Sequence, residues 1–293
     1  MTAAHPRLSL NQATIKHTNL ADALAITAAA GISAIGLWRE PVAEVGLAAA
    51  TRMVTDSGLR VSSLCRAGFF TQDDDAARRR ALDDNRRAIE ETAILAQAGA
   101  PGSAPVLVLV AGGLPEHSTD LVGARTRVGD ALAELEPEAR RAGVRLALEP
   151  LHPMYVADRA VVSTLAQALE LVSPFPAESV GVIVDTFHIW WDPAVLHDIA
   201  RAGAAGRIAS YQVSDFLTPL PSDVLLSRAM MGDGHIDFGP MTHAINATGY
   251  RGDVEVEIFN ADVWATPPQD VVNDVIRTFT EHIPLTMLSE GAA

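Results

Sequence analysis

Four apolar runs in the second half of the chain each end on a side chain able to hold a charge or an ion. They read Leu-Ala-Leu-Glu149-Pro150, Val-Ile-Val-Asp185-Thr186-Phe187-His188, Ser-Tyr-Gln212-Val-Ser-Asp215 and Val-Glu255-Val-Glu257-Ile-Phe259. Carboxylates gathered in one place repel one another unless a cation lies between them. Glu149, Asp185, Gln212 and Glu257 therefore present three carboxylates and an amide oxygen as candidate ligands of one divalent metal ion. An all-oxygen set favours Mn²⁺ or Mg²⁺ over tetrahedral Zn²⁺, whereas ligation by nearby His152 or His188 would turn the preference toward Co²⁺ or Zn²⁺. The competing reading, in which each acid caps a helix or pairs with an arginine, weakens because it must repeat on four runs. Glu255 lies two residues before Glu257, on the same side but deeper, where a supporting contact is expected.

What must position these residues is a repeating unit of short strand and longer helix. Strands are expected over Leu8–Ile15, Ala34–Trp38, Val61–Cys65, Val106–Ala111, Arg145–Glu149, Val180–Asp185, Ile208–Val213 and Asp253–Ile258. Amphipathic, often alanine-rich stretches separate them: Leu20–Ala30, Ala43–Ser57, Ala76–Ala98, Ala124–Ala142, Ser163–Val172, Pro193–Ala202 and Pro240–Thr248. Strands alternating with helices imply a parallel sheet covered on both faces. Gly31, Gly58, Gly99, Gly143 and Gly249 stand where helices give way to strands, as C-capping glycines do. Eight units point to a single α/β domain over residues 1–293, a closed (β/α)8 TIM barrel spanning about 8–282 with a short frayed tail. An open doubly wound sheet is the runner-up, but no G-x-G-x-x-G follows the first strand, and Gly112-Gly113 reads as a turn. In a barrel the C-terminal strand ends and the following loops hold the chemistry, which is where the four polar residues fall.

Composition narrows the function classes. The 293 residues include 36 acidic and 22 basic side chains, a formal net charge of −14. The one dense basic run, Arg78-Arg79-Arg80 with Arg86 and Arg87, is interleaved with Asp73, Asp74, Asp75, Asp83 and Asp84, as on a solvated helix face. Nucleic acid is thus not an expected partner. No apolar run approaches membrane-spanning length, Met1–Arg7 lacks an export pattern, and Cys65 is the single cysteine. A reduced, cytoplasmic enzyme is the expectation, with homo-oligomerisation left open.

Taken together, Glu149-Pro150-Leu151-His152-Pro153, Asp185-Thr186-Phe187-His188, Gln212 with Asp215, and Val256-Glu257-Ile258-Phe259 resemble the xylose isomerase-like TIM barrel superfamily. The closest likeness is to its sugar phosphate isomerase/epimerase branch, which includes ketose 3-epimerases, hydroxypyruvate isomerases and inosose dehydratases. The resemblance runs from Leu8 to about His282. It implies one divalent metal on Glu149, Asp185, Gln212 and Glu257, with Glu149 and Glu257 as the catalytic acid/base pair. It also implies substrate contacts from His188 and from Arg228 in Leu-Ser-Arg228-Ala-Met-Met-Gly. Two departures stand out. The strand-7 ligand is usually His where this chain has Gln212, and the Asn-Arg-aromatic-Glu run of sugar epimerases is replaced by His152-Pro153-Met154-Tyr155.

Such a site suits proton abstraction beside a carbonyl. A metal chelating the carbonyl and neighbouring hydroxyl oxygens spreads the enediolate charge, and a positioned acid or base contributes about 10²- to 10⁴-fold. The expected substrate is a small neutral sugar or polyol ketone, isomerised or epimerised. Loss of a β-hydroxyl or glycosyloxy group from a keto-cyclitol or 3-keto-glycoside is the rival chemistry, and a non-catalytic sugar-binding barrel subunit the third reading. His152 and Trp38 are further candidates for substrate contact; Trp190, Trp191 and Phe259 could line an apolar wall or pack in the core. Arg39 and Glu40 could reach substrate or pair with each other at the surface. Gly232-Asp233-Gly234-His235 has the look of a phosphate-cradling loop.

Overall fold

The computed structural model describes residues 3–285, so the expected frayed tail falls largely outside the described residues. The barrel strands are β1 (Leu8–Asn11), β2 (Ala34–Trp38), β3 (Arg60–Gly68), β4 (Val106–Val110), β5 (Arg145–Glu149), β6 (Val180–Asp185), β7 (Ile208–Val213) and β8 (Val254–Val256). They pair in parallel in the cyclic order 1-8-7-6-5-4-3-2 and close between β1 and β2. This is the expected (β/α)8 barrel. A short antiparallel ribbon, Asp215–Phe216 with Arg228–Ala229, stands outside it.

Strand periodicity decides what faces inward. In β1, Leu8 and Leu10 pack outward into the main hydrophobic core, while Ser9 and Asn11 alternate to the other face. In β8, Val254 and Val256 join that core and Glu255 alternates with them. A second apolar cluster of Cys65, Val106, Val108, Ala147, Ile183 and Ala209, flanked by Trp38, forms separately from the first. The registers Ser9↔Glu255, Glu255↔Gln212 and Asp185↔Gln212 set these polar residues side by side on neighbouring strands.

Helix starts follow local capping chemistry. Asn19, Asp74, Asp120 and Thr164 each accept a hydrogen bond from a backbone N–H in the first turn of the helices Leu20–Ala29, Asp75–Ala98, Leu121–Ala142 and Leu165–Val172. Beyond small shifts of element ends, four departures from the sequence reading stand out. The expected first strand gives way after Asn11 to a 3-10 turn, Gln12–Ile15, because Asn11 Oδ1 accepts from the Ala13 N–H and starts the turn. The expected helix 43–57 is two helices, Arg39–Val45 and Leu47–Ser57, broken at Gly46, whose φ of 80° is left-handed. Gly99 ends its helix at φ −70° in extended backbone, not in the left-handed cap expected there. A further helix, Pro268–His282, packs Val271, Val272, Val275, Ile276 and Phe279 into the core. Its spacing is helical, but its β-branched content favours strand. Among the described residues no helix is long and apolar enough to cross a membrane.

Candidate metal and substrate site

Glu149 and Asp185 end β5 and β6, Gln212 lies one residue from the end of β7, and Glu257 follows β8 by one residue. All four are buried. Glu149, Asp185 and His188 bring one potential ligand atom each within 4.8 Å of one another. His188 Nε2 stands 3.9 Å from Glu149 Oε1 and 4.0 Å from Asp185 Oδ2.

Arg228, arriving from the outer ribbon, runs between these acids. Its Nη1 donates to Asp185 Oδ2 (2.9 Å), Ser214 Oγ (2.9 Å) and the Glu257 carbonyl (3.3 Å). Its Nη2 lies 3.0 Å from Glu257 Oε2 and 3.0 Å from His188 Nε2. Burial opposes the guanidinium charge, yet Asp185, Glu257 and Glu149 hold it more firmly protonated than usual. Part of the expected carboxylate repulsion is thus met by the protein itself. What it leaves unmet is informative. Glu149 Oε1 and Gln212 Oε1 are buried acceptors with no protein partner among the described residues, and Arg228 Nε is a buried donor in the same condition. Unpaired buried acceptors cost free energy unless something binds them. Two such oxygens, on the strands that flank Asp185, suit a hard divalent cation, although the ligand atoms that converge within 4.8 Å are those of Glu149, Asp185 and His188, not Glu257.

The orientation of Gln212 comes from below. Its Nε2 donates to Glu255 Oε1 at 3.1 Å. Glu255 is completely buried and also accepts from Asn11 Nδ2 (2.6 Å), Ser62 Oγ (2.5 Å) and Ser63 Oγ (2.9 Å). An ionised carboxylate only accepts, so it holds the amide nitrogen downward and leaves Oε1 free. Gly36 makes room: a Cβ there would come within 2.6 Å of the Glu255 carboxyl atoms.

Desolvation dominates the electrostatics. Burial, then Asp185 and Glu257, push the Glu149 carboxyl well above the usual range; burial also raises Asp185, against the pull of Arg228. Glu257 is pushed up to about 7 by burial, with Arg228 opposing. Burial, then Arg228 and His152, drive His188 well below its ordinary value, so its ring is neutral. Two donors face that neutral ring, the His152 backbone N–H at Nδ1 (3.2 Å) and Arg228 at Nε2. Only one can be accepted. The ring nitrogen that accepts its donor is the unprotonated one, so the tautomer sets whether Nε2 meets Arg228 as an acceptor. With its lone pair at Nε2 the ring can join Glu149 and Asp185 around a cation, and with a proton there it donates to an oxygen.

Above the acids opens a cavity of about 410 Å³. Of the residues singled out by sequence, Trp38, Glu149, His188, Arg228, Glu257, Phe259 and Glu40 line it. Asp185 and Gln212 are not in its wall. His152 is not either; its Nδ1 accepts from the Met154 N–H while its ring faces Trp191 and Phe216. Trp190 packs on Phe216. Arg39 spans Asp84 (2.8 Å) and Glu91 (2.6 Å), tying two helices together. The Gly232–His235 segment cradles no anion from outside, because Asp215 already accepts from the N–H groups of Gly232, Gly234 and Ile236. Lys16, Arg66, Tyr155 and Arg159 line the cavity and had not been singled out. Arg66 is the one with a visible signal, a cation directly after the apolar run Val61–Cys65.

These features define a TIM barrel with a carboxylate-floored cavity at the C-terminal ends of its strands. The chain belongs to the xylose isomerase-like TIM barrel family, whose model matches residues 24–282. It is 31% identical over 166 residues to 3-dehydroshikimate dehydratase of Pseudomonas putida, covering 54% of this chain and 25% of that protein. It is 28% identical over 133 residues to L-ribulose 3-epimerase of Mesorhizobium japonicum, covering 45% of this chain and 40% of that one. The chain thus spans between a quarter and about half the length of the curated relatives it matches. A crystal structure of a protein from Sinorhizobium meliloti 1021 matches with a TM-score of 0.89 at 45% identity, over 94% of this chain and 98% of that one.

Proposed function

We propose that this protein is a divalent-metal-dependent isomerase or epimerase of a small sugar or polyol ketone, acting by proton transfer beside the carbonyl. The observation that carries the reading is the pair of orphaned buried oxygens, Glu149 Oε1 and Gln212 Oε1, on the strands that flank Asp185. Those four residues would hold the ion, Mn²⁺ or Mg²⁺ by their all-oxygen chemistry. When bound, the ion supplies Lewis-acid stabilisation of the charge that develops on the substrate oxygens. Glu149 and Glu257 both line the cavity, and burial raises the proton affinity of both, that of Glu257 to about 7. One removes the carbon-bound proton and the other returns one, to the opposite face or to the neighbouring carbon. His188, in the cavity wall, hydrogen-bonds a substrate oxygen, and Arg228 steadies the acids. Trp38 and Phe259, 5.5 Å apart edge to face, give the substrate an apolar wall.

Elimination of a β-hydroxyl is the second reading, favoured by the 31% identity to a dehydratase over 54% of the chain. Both need the same first proton transfer, so incubation of ketoses, inososes and 3-keto-glycosides in D₂O with Mn²⁺ separates them. An isomerase or epimerase returns a sugar of unchanged composition carrying deuterium beside the carbonyl; an eliminating enzyme accumulates an unsaturated ketone. Glu149→Gln or Glu257→Gln should slow exchange about 10²- to 10⁴-fold, with metal content measured alongside. Exchange that persists in a metal-free sample overturns the metal dependence. Metal-loaded protein that binds these compounds without exchange or elimination leaves a sugar-binding barrel.

A further inference from the structure

Besides Arg228, three cations line the cavity, and each is held by an aromatic face. Arg66 stands 5.7 Å from the Trp38 ring centroid and 5.2 Å from that of Phe69. Lys16 stands 4.6 Å from the Trp264 ring and 5.8 Å from the Phe259 ring. Arg159 lies 5.7 Å from the Tyr155 ring, with the neighbouring Asp158 carboxylate at 3.5 Å. Among the described residues, neither Arg66 nor Lys16 has an ion pair or hydrogen bond. Arg39, Arg60 and Arg86 are held by carboxylates, and the other arginines without any partner among the described residues, Arg52, Arg79, Arg80 and Arg141, lie outside the cavity. Glu40 and Glu44 line the same mouth, exposed, and pair with neither cation. A cation–π contact steadies a side chain without using its N–H donors. Arg66 and Lys16 are therefore oriented and still free to bind an anion.

The backbone is built to present Arg66. The β3–β4 register shifts between Leu64 and Ala67, so the ladder bulges at Cys65-Arg66. Bulges re-aim a side chain and recur beside active sites. Phe69, one of Arg66's two platforms, is 40% exposed and holds a left-handed φ of 62°. Non-glycine backbone of this kind persists where the surroundings enforce it. The two platforms adjoin, since Trp38 under Arg66 meets Phe259 beside Lys16 at 5.5 Å.

We propose that the substrate carries an acidic group, a carboxylate or a phosphate monoester, held at the cavity rim by Arg66 and Lys16. Its carbonyl end then reaches Glu149 and Glu257, a placement that rests on the proton-transfer reading above. The substrate class becomes a small keto acid or keto phosphate in place of a neutral ketose. A charge-assisted hydrogen bond contributes enough to shift affinity about tenfold or more.

Calorimetry on the metal-loaded protein with D-fructose, 5-keto-D-gluconate and D-fructose 6-phosphate tests this. At low ionic strength at least one acidic probe should bind about tenfold or more tightly than fructose, with the advantage shrinking as NaCl is added. Tighter binding of the keto acid assigns a carboxylate, and of the ester a phosphate. In Arg66→Gln and Lys16→Gln, checked for an unchanged melting midpoint, the ratio of acidic to neutral affinity should fall toward one. Arg66→Lys should keep part of it. Equal affinity for all three probes, or a preference that survives both glutamine substitutions, overturns the proposal. Deuterium incorporation in the same samples reports on the proton transfer separately. An acid preference without exchange upholds the clamp and removes the catalytic reading.

Discussion

The amide of Gln212 is held by its nitrogen, which donates to Glu255 at 3.1 Å, and its oxygen is left buried and unpaired. Reversing the amide would set that oxygen against an acceptor-only carboxylate, so Glu255 decides which atom faces the other acids. An imidazole in its place could donate one N–H to Glu255 and present the other nitrogen as a stronger donor than an amide oxygen. Gln212→His should therefore keep or tighten Mn²⁺ binding. Calorimetric affinity that weakens would count against Gln212 as a ligand. At this scale the sequence was partly legible. Glu149, Asp185, Gln212 and Glu257 stand out because each interrupts an apolar run at its end. Arg228 is reached only through the family resemblance and Arg66 only as a cation closing the run Val61–Cys65, while Lys16 gives no signal, because their partners come from strands and loops distant in the chain.

The strands were the most legible elements, since every expected one is present and differences are confined to their ends. Helix boundaries were harder, being set by local backbone chemistry that periodicity does not report: Gly46 splits one helix and Gly99 ends another in extended backbone. The barrel's polar inner layer was readable only as alternation. Ser9, Asn11, Ser62, Ser63 and Gln212 are unremarkable one by one, and become a network only once the barrel closes β8 against β1. That network depends on β2 having no side chain at Gly36. Gly36→Ala would drive a methyl to within 2.6 Å of the Glu255 carboxyl atoms in a closed barrel that cannot widen locally. A loss of about 1–3 kcal/mol is expected from overpacking, read as a lower denaturant midpoint. Mn²⁺ affinity should fall with it as Glu255 shifts and frees the Gln212 amide. A midpoint and an affinity both equal to the parent's would show that Glu255 has room to move and does not fix the amide.

For the molecule as a whole, the buried acids couple folding to pH, and to any metal ion they hold. Glu257 is raised from 4.5 to about 7 in the fold, chiefly by burial. Between those values the folded chain keeps a proton that the unfolded chain has released, so this group's contribution to stability falls as pH rises. The direction is opposite to that of a salt-bridged acid with a depressed pKa. Burial raises Glu149 and Asp185 in the same sense. His188, lowered well below 6.5, works the other way, because below that value the unfolded chain takes up a proton which the fold excludes. Comparison with Glu257→Gln removes most of this background. In metal-free protein, the parent's melting midpoint should drop more between pH 5 and pH 7.5 than the variant's. A metal that binds the deprotonated ligands reverses the balance. Mn²⁺ at about 100 times its dissociation constant should stabilise the parent by about 2.7 kcal/mol. At one fixed Mn²⁺ concentration the gain should be larger at pH 7.5 than at pH 5, where protons compete for the same oxygens. If parent and variant keep parallel pH profiles, and Mn²⁺ raises the midpoint equally at both pH values, Glu257 titrates as an ordinary exposed acid and holds no metal.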